Sequence, residues 1–138
     1  MNQENIPHIL LIEDDQFFRE LVARKLREKN CMVTERESVE TARETLQEGQ
    51  FSVVCFDIVV LGIAGFKKLS ELMTSDHLRN ATVLLLTDKD IEAEVAAWAP
   101  HATLAHLVKS EATPEEIVAL ILSLAASHGV APLDFLHP

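Results

Sequence analysis

The alternation of apolar and amphipathic stretches most limits what this chain can fold into. Runs of strand length alternate with amphipathic stretches of helix length, in one register from residue 8 to residue 129. The predicted strands are residues 8–12, 31–36, 51–56, 81–86 and 102–108. The predicted helices are residues 15–30, 38–49, 63–76, 88–99 and 113–129. Neither a repeat nor an internal linker interrupts the pattern, so it indicates one folded domain.

Near-continuous apolar strands indicate a parallel sheet with helices on both faces, because such strands are buried on both sides. Right-handed crossovers then restrict the topology. Five βα units favour an α/β, flavodoxin-like (βα)5 fold with strand order 2-1-3-4-5, whose ligand crevice lies at the carboxyl ends of strands 1 and 3. We expect the domain to cover residues 1–129 and residues 130–138 to be a tail or the start of a linker.

The charge balance argues against one class of partner. The chain of 138 residues has 22 acidic and 12 basic side chains, a formal net charge of −10. Such a field repels phosphate backbones, so we expect no direct binding to nucleic acid. The first residues do not read as a signal peptide, and no apolar run approaches the roughly 20 residues of a membrane span. We therefore expect a cytoplasmic domain.

Polar side chains stand at the carboxyl ends of four predicted strands. These ends carry, in chain order, Glu13-Asp14-Asp15, Asp57, Thr87 and Lys109. Because parallel strands end at one edge of the sheet, we expect these side chains to converge in the crevice. Three carboxylates that lie close together cannot all stay ionised without a cation, and one lysine supplies only a single charge. Mg²⁺ suits a site of few carboxylates that also receives a phosphate.

A carboxylate nucleophile, a Mg²⁺ site, a lysine and a hydroxyl are together typical of phosphoryl transfer onto an aspartate. Each residue alone has an ordinary explanation, since a strand-end aspartate often caps a helix and a single lysine is often solvated. Their joint placement on four crevice strands favours the functional interpretation.

The pattern resembles the receiver domain of bacterial response regulators over about residues 7–127. The segment LLIEDDQFFREL is similar to the family's acidic-pair segment, and its spacing to Arg19 makes Glu13 and Asp14 the pair. The resemblance implies that Asp14 ligates Mg²⁺ directly and Glu13 ligates it through water. It also implies that Asp57 and the backbone carbonyl of Val59 complete the protein ligands.

The same resemblance implies roles for the other crevice residues. Asp57 matches the phosphoacceptor, with Gly65 at the family's glycine position eight residues on. Thr87 matches the switch hydroxyl, Lys109 the family's lysine, and His106 takes the place of the switch aromatic. The chain would then be a signalling phosphoacceptor rather than an enzyme, and its partner a histidine kinase or phosphotransfer protein.

The readout surface implied by the resemblance comprises the helix at 88–99, strand 5 and the helix at 113–129. The last helix is apolar nearly all round, and we expect Val118 and Leu122 to lie off its core stripe. A homodimer through these two helices would cover them, and packing of the tail is the alternative. The predicted core stripe consists of Ile117, Leu120, Ile121 and Leu124.

Departures from the family's pattern favour an alternative function. The family has Met-Pro where this chain has Val60-Leu61, a small residue at Asp88, and proline at Ser110. The alternative is an atypical receiver-like module that acts by protein–protein interaction without phosphorylation. An aspartyl-phosphate phosphatase would need a second aspartate two residues after the nucleophile, where this chain has Val59.

Overall fold

The computed structural model describes residues 6–57, 78, 81–87 and 104–127. Within them, parallel strands form a five-stranded sheet in the order β2-β1-β3-β4-β5. The predicted α/β flavodoxin-like fold and its strand order are confirmed. The strands are β1 (His8–Ile12), β2 (Met32–Arg36), β3 (Val53–Asp57), β4 (Thr82–Thr87) and β5 (Leu104–Val108).

Three helices are described, and their ends lie within a few residues of the prediction. They are α1 (Gln16–Glu28), α2 (Val39–Glu48) and a C-terminal helix (Pro114–Ala126), which a 3-10 turn (Lys109–Glu111) precedes. None of them is long and apolar enough to cross a membrane. The predicted helices at residues 63–76 and 88–99 lie outside the described residues.

Side-chain caps explain where the described helices begin. Asp15 and Ser38 accept hydrogen bonds from backbone N–H groups in the first turns of α1 and α2. Thr113 and Glu116 form a capping box at the start of the C-terminal helix, in which the side chain of each accepts from the backbone N–H of the other. Gly49 follows the last turn of α2 with an extended backbone (φ −143°) rather than a left-handed one.

The core lies on both faces of the sheet because strand side chains alternate between the faces. On β1, Leu10 and Ile12 pack with residues of α2, whereas Ile9 and Leu11 pack with residues of α1 and the C-terminal helix. This sandwich fixes the carboxyl ends of β1, β3 and β4 side by side. Polar groups at those ends are therefore held at one edge of a rigid layer.

One prediction about the C-terminal helix is wrong. Val118 and Leu122 do not lie off the core stripe; both are buried, whereas Leu120 and Leu124 are only partly buried. The physical reason is that this helix packs against α1 as well as against the sheet. Its buried face therefore includes the side that contacts α1. A salt bridge of 3.4 Å between Lys25 and Glu115 joins the same two helices at the surface.

Candidate functional site

The carboxyl edge of the sheet brings together Glu13, Asp57 and Lys109. Asp57 is the last residue of β3, is 3% exposed, and lines a small cavity together with Glu13. Lys109 begins the turn after β5, and its ammonium group donates to Asp57 and, over 2.9 Å, to Oε1 of Glu13. A carboxylate can therefore stand at the end of an apolar strand because a lysine meets it there.

The cluster carries more negative charge than one lysine balances. Burial, together with nearby Asp57, raises the pKa of Glu13 to about 7, although the hydrogen bonds from Lys109 and from the Asp15 backbone act to lower it. Burial alone would lower the pKa of Lys109, but its hydrogen bonds to Asp57 and Glu13 outweigh burial and raise it. The arrangement therefore favours the binding of an additional cation.

The start of α1 fixes the acidic segment that precedes it. The backbone N–H of Asp15 donates to Oε2 of Glu13 over 3.1 Å, and Oδ1 of Asp15 accepts from the N–H of Phe18 over 3.1 Å. Arg19 donates to the backbone carbonyl of Glu13 over 2.8 Å and to the carboxylate of Glu35 over 3.3 Å. The Glu13 main chain is thereby tied to β2 as well as to β1.

Sequence reasoning missed two of these contacts. It used Arg19 only as a spacing marker, and it assigned no role in the site to Phe18. In the structure Phe18 is only partly buried, and the centre of its ring lies 4.4 Å from the ammonium nitrogen of Lys109. Phe18 also lines a small cavity with Glu13 and Asp57. The pairing of remote residues 18 and 109 leaves no local signal in the sequence.

The remaining predicted site residues take different positions. Asp14 is exposed and makes no hydrogen bond or ion pair with another described side chain. Thr87 is fully buried at the end of β4, where its hydroxyl donates to the carbonyl of Leu107 over 3.4 Å. His106 is exposed on β5. Val59, Gly65, Val60, Leu61 and Asp88 lie outside the described residues.

The donor set includes a pair of carboxylates of the kind that Mg²⁺ uses. Among the described residues, no three histidine, cysteine or acidic side chains are grouped closely enough to hold a metal ion. Mg²⁺ commonly uses only one or two carboxylates and keeps several waters. Glu13 and Asp57, which share the Lys109 ammonium group, provide such a pair.

A family comparison decides which proteins this site belongs with. The model of the family described as "Response regulator receiver domain" matches residues 9–122. The chain belongs to this family. The receiver is 26% identical over 102 residues to the two-component response regulator ARR16 of Arabidopsis thaliana. That match covers 64% of the receiver and 62% of the plant protein, so the receiver spans less than two thirds of this relative.

Solved structures agree with the fold. The chemotaxis response regulator CheY4 of Vibrio cholerae has a TM-score of 0.71 at 21% identity, covering 86% of the receiver and 98% of that chain. The response regulator TrrA of Thermotoga maritima has a TM-score of 0.69 at 25% identity, covering 86% of the receiver and 99% of that chain. The TrrA structure is a complex with Mg²⁺-BeF.

Proposed function

We propose that this receiver accepts a phosphoryl group on Asp57 from a phosphohistidine of a histidine kinase or phosphotransfer protein. The observation that carries the proposal is the Lys109 ammonium group, which contacts both Asp57 and Glu13. These three residues come from the ends of β3, β1 and β5, far apart in sequence. Family membership supports the same chemistry, because receivers are signalling phosphoacceptors rather than catalysts acting on a separate substrate.

The transfer exchanges one bond to phosphorus for another. A carboxylate oxygen of Asp57 attacks the phosphorus, the bond from phosphorus to the histidine nitrogen breaks, and its electron pair stays on that nitrogen. Lys109 remains beside Asp57 and balances charge on the phosphoryl oxygens. Water later cleaves the acyl phosphate, which restores the Asp57 carboxylate and releases inorganic phosphate.

Mg²⁺ is part of the proposal, with Glu13, Asp14, Asp57 and the backbone carbonyl of Val59 as the groups that would hold it. Bound there, the ion would neutralise charge on the transferred group. The contacts of Asp15 support Glu13 and Asp14 as the acidic pair, because the Asp15 carboxylate already caps α1. Asp14 is exposed and so can reach a hydrated ion.

The proposed switch runs from Thr87 to β5. The Thr87 hydroxyl bonds the Leu107 carbonyl, and a phosphoryl group on Asp57 offers that hydroxyl a charged acceptor instead. Breaking this bond releases the Leu107 carbonyl from Thr87. Leu107 is next to His106, which is exposed on the same strand. We propose that this change alters a homodimer or partner surface formed by β5, the C-terminal helix and the helix predicted at residues 88–99.

A titration with Mg²⁺ and beryllofluoride, a phosphoryl mimic, tests the proposal. Trp98 is the single tryptophan of the chain and reports binding by fluorescence. We expect saturable binding that requires Mg²⁺ and is abolished in Asp57→Asn. Asp15→Asn is the matched control, because asparagine caps helices as well as aspartate does. A wild-type chain that binds no mimic would instead support an interaction module that works without phosphorylation.

A further inference from the structure

We infer that Phe18 is a positioning residue that holds the Lys109 ammonium group at the phosphoacceptor. The centre of the Phe18 ring lies 4.4 Å from Nζ of Lys109, within the roughly 6 Å over which a ring face attracts a cation. The same nitrogen contacts Asp57 and Glu13, so three different groups surround it. The inference rests on the proposed function, since it concerns the group that would contact the phosphoryl oxygens.

Lys109 needs such a restraint because its side chain is long and partly exposed. Four methylene groups separate its ammonium from the backbone, and its side chain is 23% exposed. Its two carboxylate partners are also the proposed ligands of a metal ion. A cation bound to them competes with Lys109 for the same oxygens, whereas the ring face of Phe18 takes no part in that competition.

The backbone of Phe18 is itself fixed by the acidic segment. Its N–H donates to the carboxylate of Asp15, and the N–H of Asp15 donates to the carboxylate of Glu13. The Glu13 carboxylate, Asp15 and the backbone of Phe18 are therefore linked through consecutive hydrogen bonds. This coupling fixes the backbone from which the Phe18 side chain reaches the Lys109 ammonium group.

Neighbouring Phe17 provides a matched control. It is 79% exposed, whereas Phe18 is partly buried and lines the cavity beside Glu13 and Asp57. Phe17→Leu and Phe18→Leu make the same chemical change one residue apart, and leucine keeps apolar volume for packing. Phe18→Tyr retains an aromatic face. Phe18 replaced by a phenylalanine fluorinated at several ring carbons keeps the shape but weakens the attraction for a cation.

The experiment measures how fast the full chain is labelled by acetyl phosphate with Mg²⁺, together with the melting temperature of each variant. Phe18→Leu should slow labelling about fivefold, and Phe18→Tyr and Phe17→Leu should leave it close to wild type. Fluorination of Phe18 should slow labelling at an unchanged melting temperature. Labelling rates that follow melting temperature alone, or a Phe18→Leu rate equal to wild type, would overturn the inference and leave the proposed function standing.

A second readout works even if the chain accepts no phosphoryl group. The Phe18 ring current should shift the NMR signals of the Lys109 ε-methylene group, and Phe18→Leu should move them to ordinary lysine positions. Phe17→Leu should leave them in place. Lysine signals that are unshifted in the wild type would overturn the inference. If the lysine signals are shifted but acetyl phosphate never labels the chain, the contact between Phe18 and Lys109 is upheld and the proposed function is wrong.

Discussion

At the scale of single residues, the balance between two carboxylates and one ammonium group sets the properties of the site. Glu13 and Asp57 are both buried, and the ammonium group of Lys109 contacts both carboxylates. Two buried carboxylates that share one lysine retain an excess of negative charge. The lysine stabilises the folded protein, and a metal ion in the same place would substitute for it.

We predict that Lys109→Met lowers the free energy of unfolding by about 1–3 kcal/mol in the presence of a chelator. The loss follows because Glu13 and Asp57 then lose the ammonium group that donates to both of them. Mg²⁺ should restore most of the loss, because the ion binds the carboxylates only in the folded chain. Urea denaturation with chelator and with Mg²⁺ measures both effects.

The control for this prediction is Lys25→Met, which removes an ammonium group paired with Glu115 at the surface. Exposed pairs contribute about 0–1 kcal/mol, and here no buried carboxylate is left behind. Mg²⁺ should not rescue this variant. Equal rescue of both variants would mean that Mg²⁺ stabilises the chain at some other place.

His8 should make stability depend on pH. Its ring donates to or accepts from the Thr34 hydroxyl over 2.8 Å and lies 4.4 Å from the ring of Phe51. Burial lowers the pKa of His8 below its ordinary value of 6.5, so the unfolded chain takes up this proton first. Stability contributed by a neutral His8 is therefore present above pH 6.5 and is lost as the pH falls through the lowered value.

Urea denaturation of His8→Gln and of the wild type across this pH range measures that contribution. The wild type should lose more stability on acidification than His8→Gln does. His106→Gln, which changes an exposed histidine of β5, should behave like the wild type. An identical pH response of the wild type and His8→Gln would contradict the assignment.

At the scale of elements, the first turn of α1 connects helix stability to the site. The strands and the capping box were predictable, because apolar runs and cap residues are local signals. The buried face of the C-terminal helix was not predictable from local signals. Val118 and Leu122 on this face are buried by α1, which is about 90 residues away in sequence. Contacts between distant elements, such as that of Phe18 with Lys109, leave no local pattern to read.

We predict that Asp15→Ala lowers the free energy of unfolding by about 1 kcal/mol and also weakens binding of Mg²⁺ with beryllofluoride. It removes the cap of α1, whose first turn positions both Phe18 and the Glu13 carboxylate. Ser38→Ala removes the equivalent cap of α2. It should lower the free energy of unfolding by a similar amount without weakening the binding of Mg²⁺ with beryllofluoride. Calorimetry and fluorescence titration measure the two effects, and equal losses of affinity in both variants would contradict the prediction.

At the scale of the whole molecule, the topology is what the sequence predicted best. Parallel sheets allow few strand orders. The order 2-1-3-4-5 is therefore enough to predict that Glu13, Asp57 and Lys109 lie at one edge of the sheet. The burial of Asp57 and the exposure of Asp14 were not predictable, because they depend on how the loops leave each strand. The domain limits at residues 129 and 130 remain predictions.

Oligomeric state is a prediction at this scale. We expect a homodimer through the helix predicted at residues 88–99 and the C-terminal helix, and removal of residues 130–138 should leave it intact. Leu120 and Leu124 are only partly buried on the second of these helices, which fits a further covering surface. Analytical ultracentrifugation of the full and shortened chains measures this. A chain that stays monomeric at high concentration after the tail is removed would rule the dimer out.

The most direct test of the central claim is to locate a phosphoryl group on the chain. The receiver is incubated with acetyl phosphate and Mg²⁺, and mass spectrometry of the intact chain and its peptides follows the modification. We predict one acid-stable, base-labile phosphoryl group on the peptide that contains Asp57, formed only with Mg²⁺ and absent from Asp57→Asn. An unmodified wild-type chain, or a phosphoryl group that persists in Asp57→Asn, would contradict the assignment of Asp57 as phosphoacceptor.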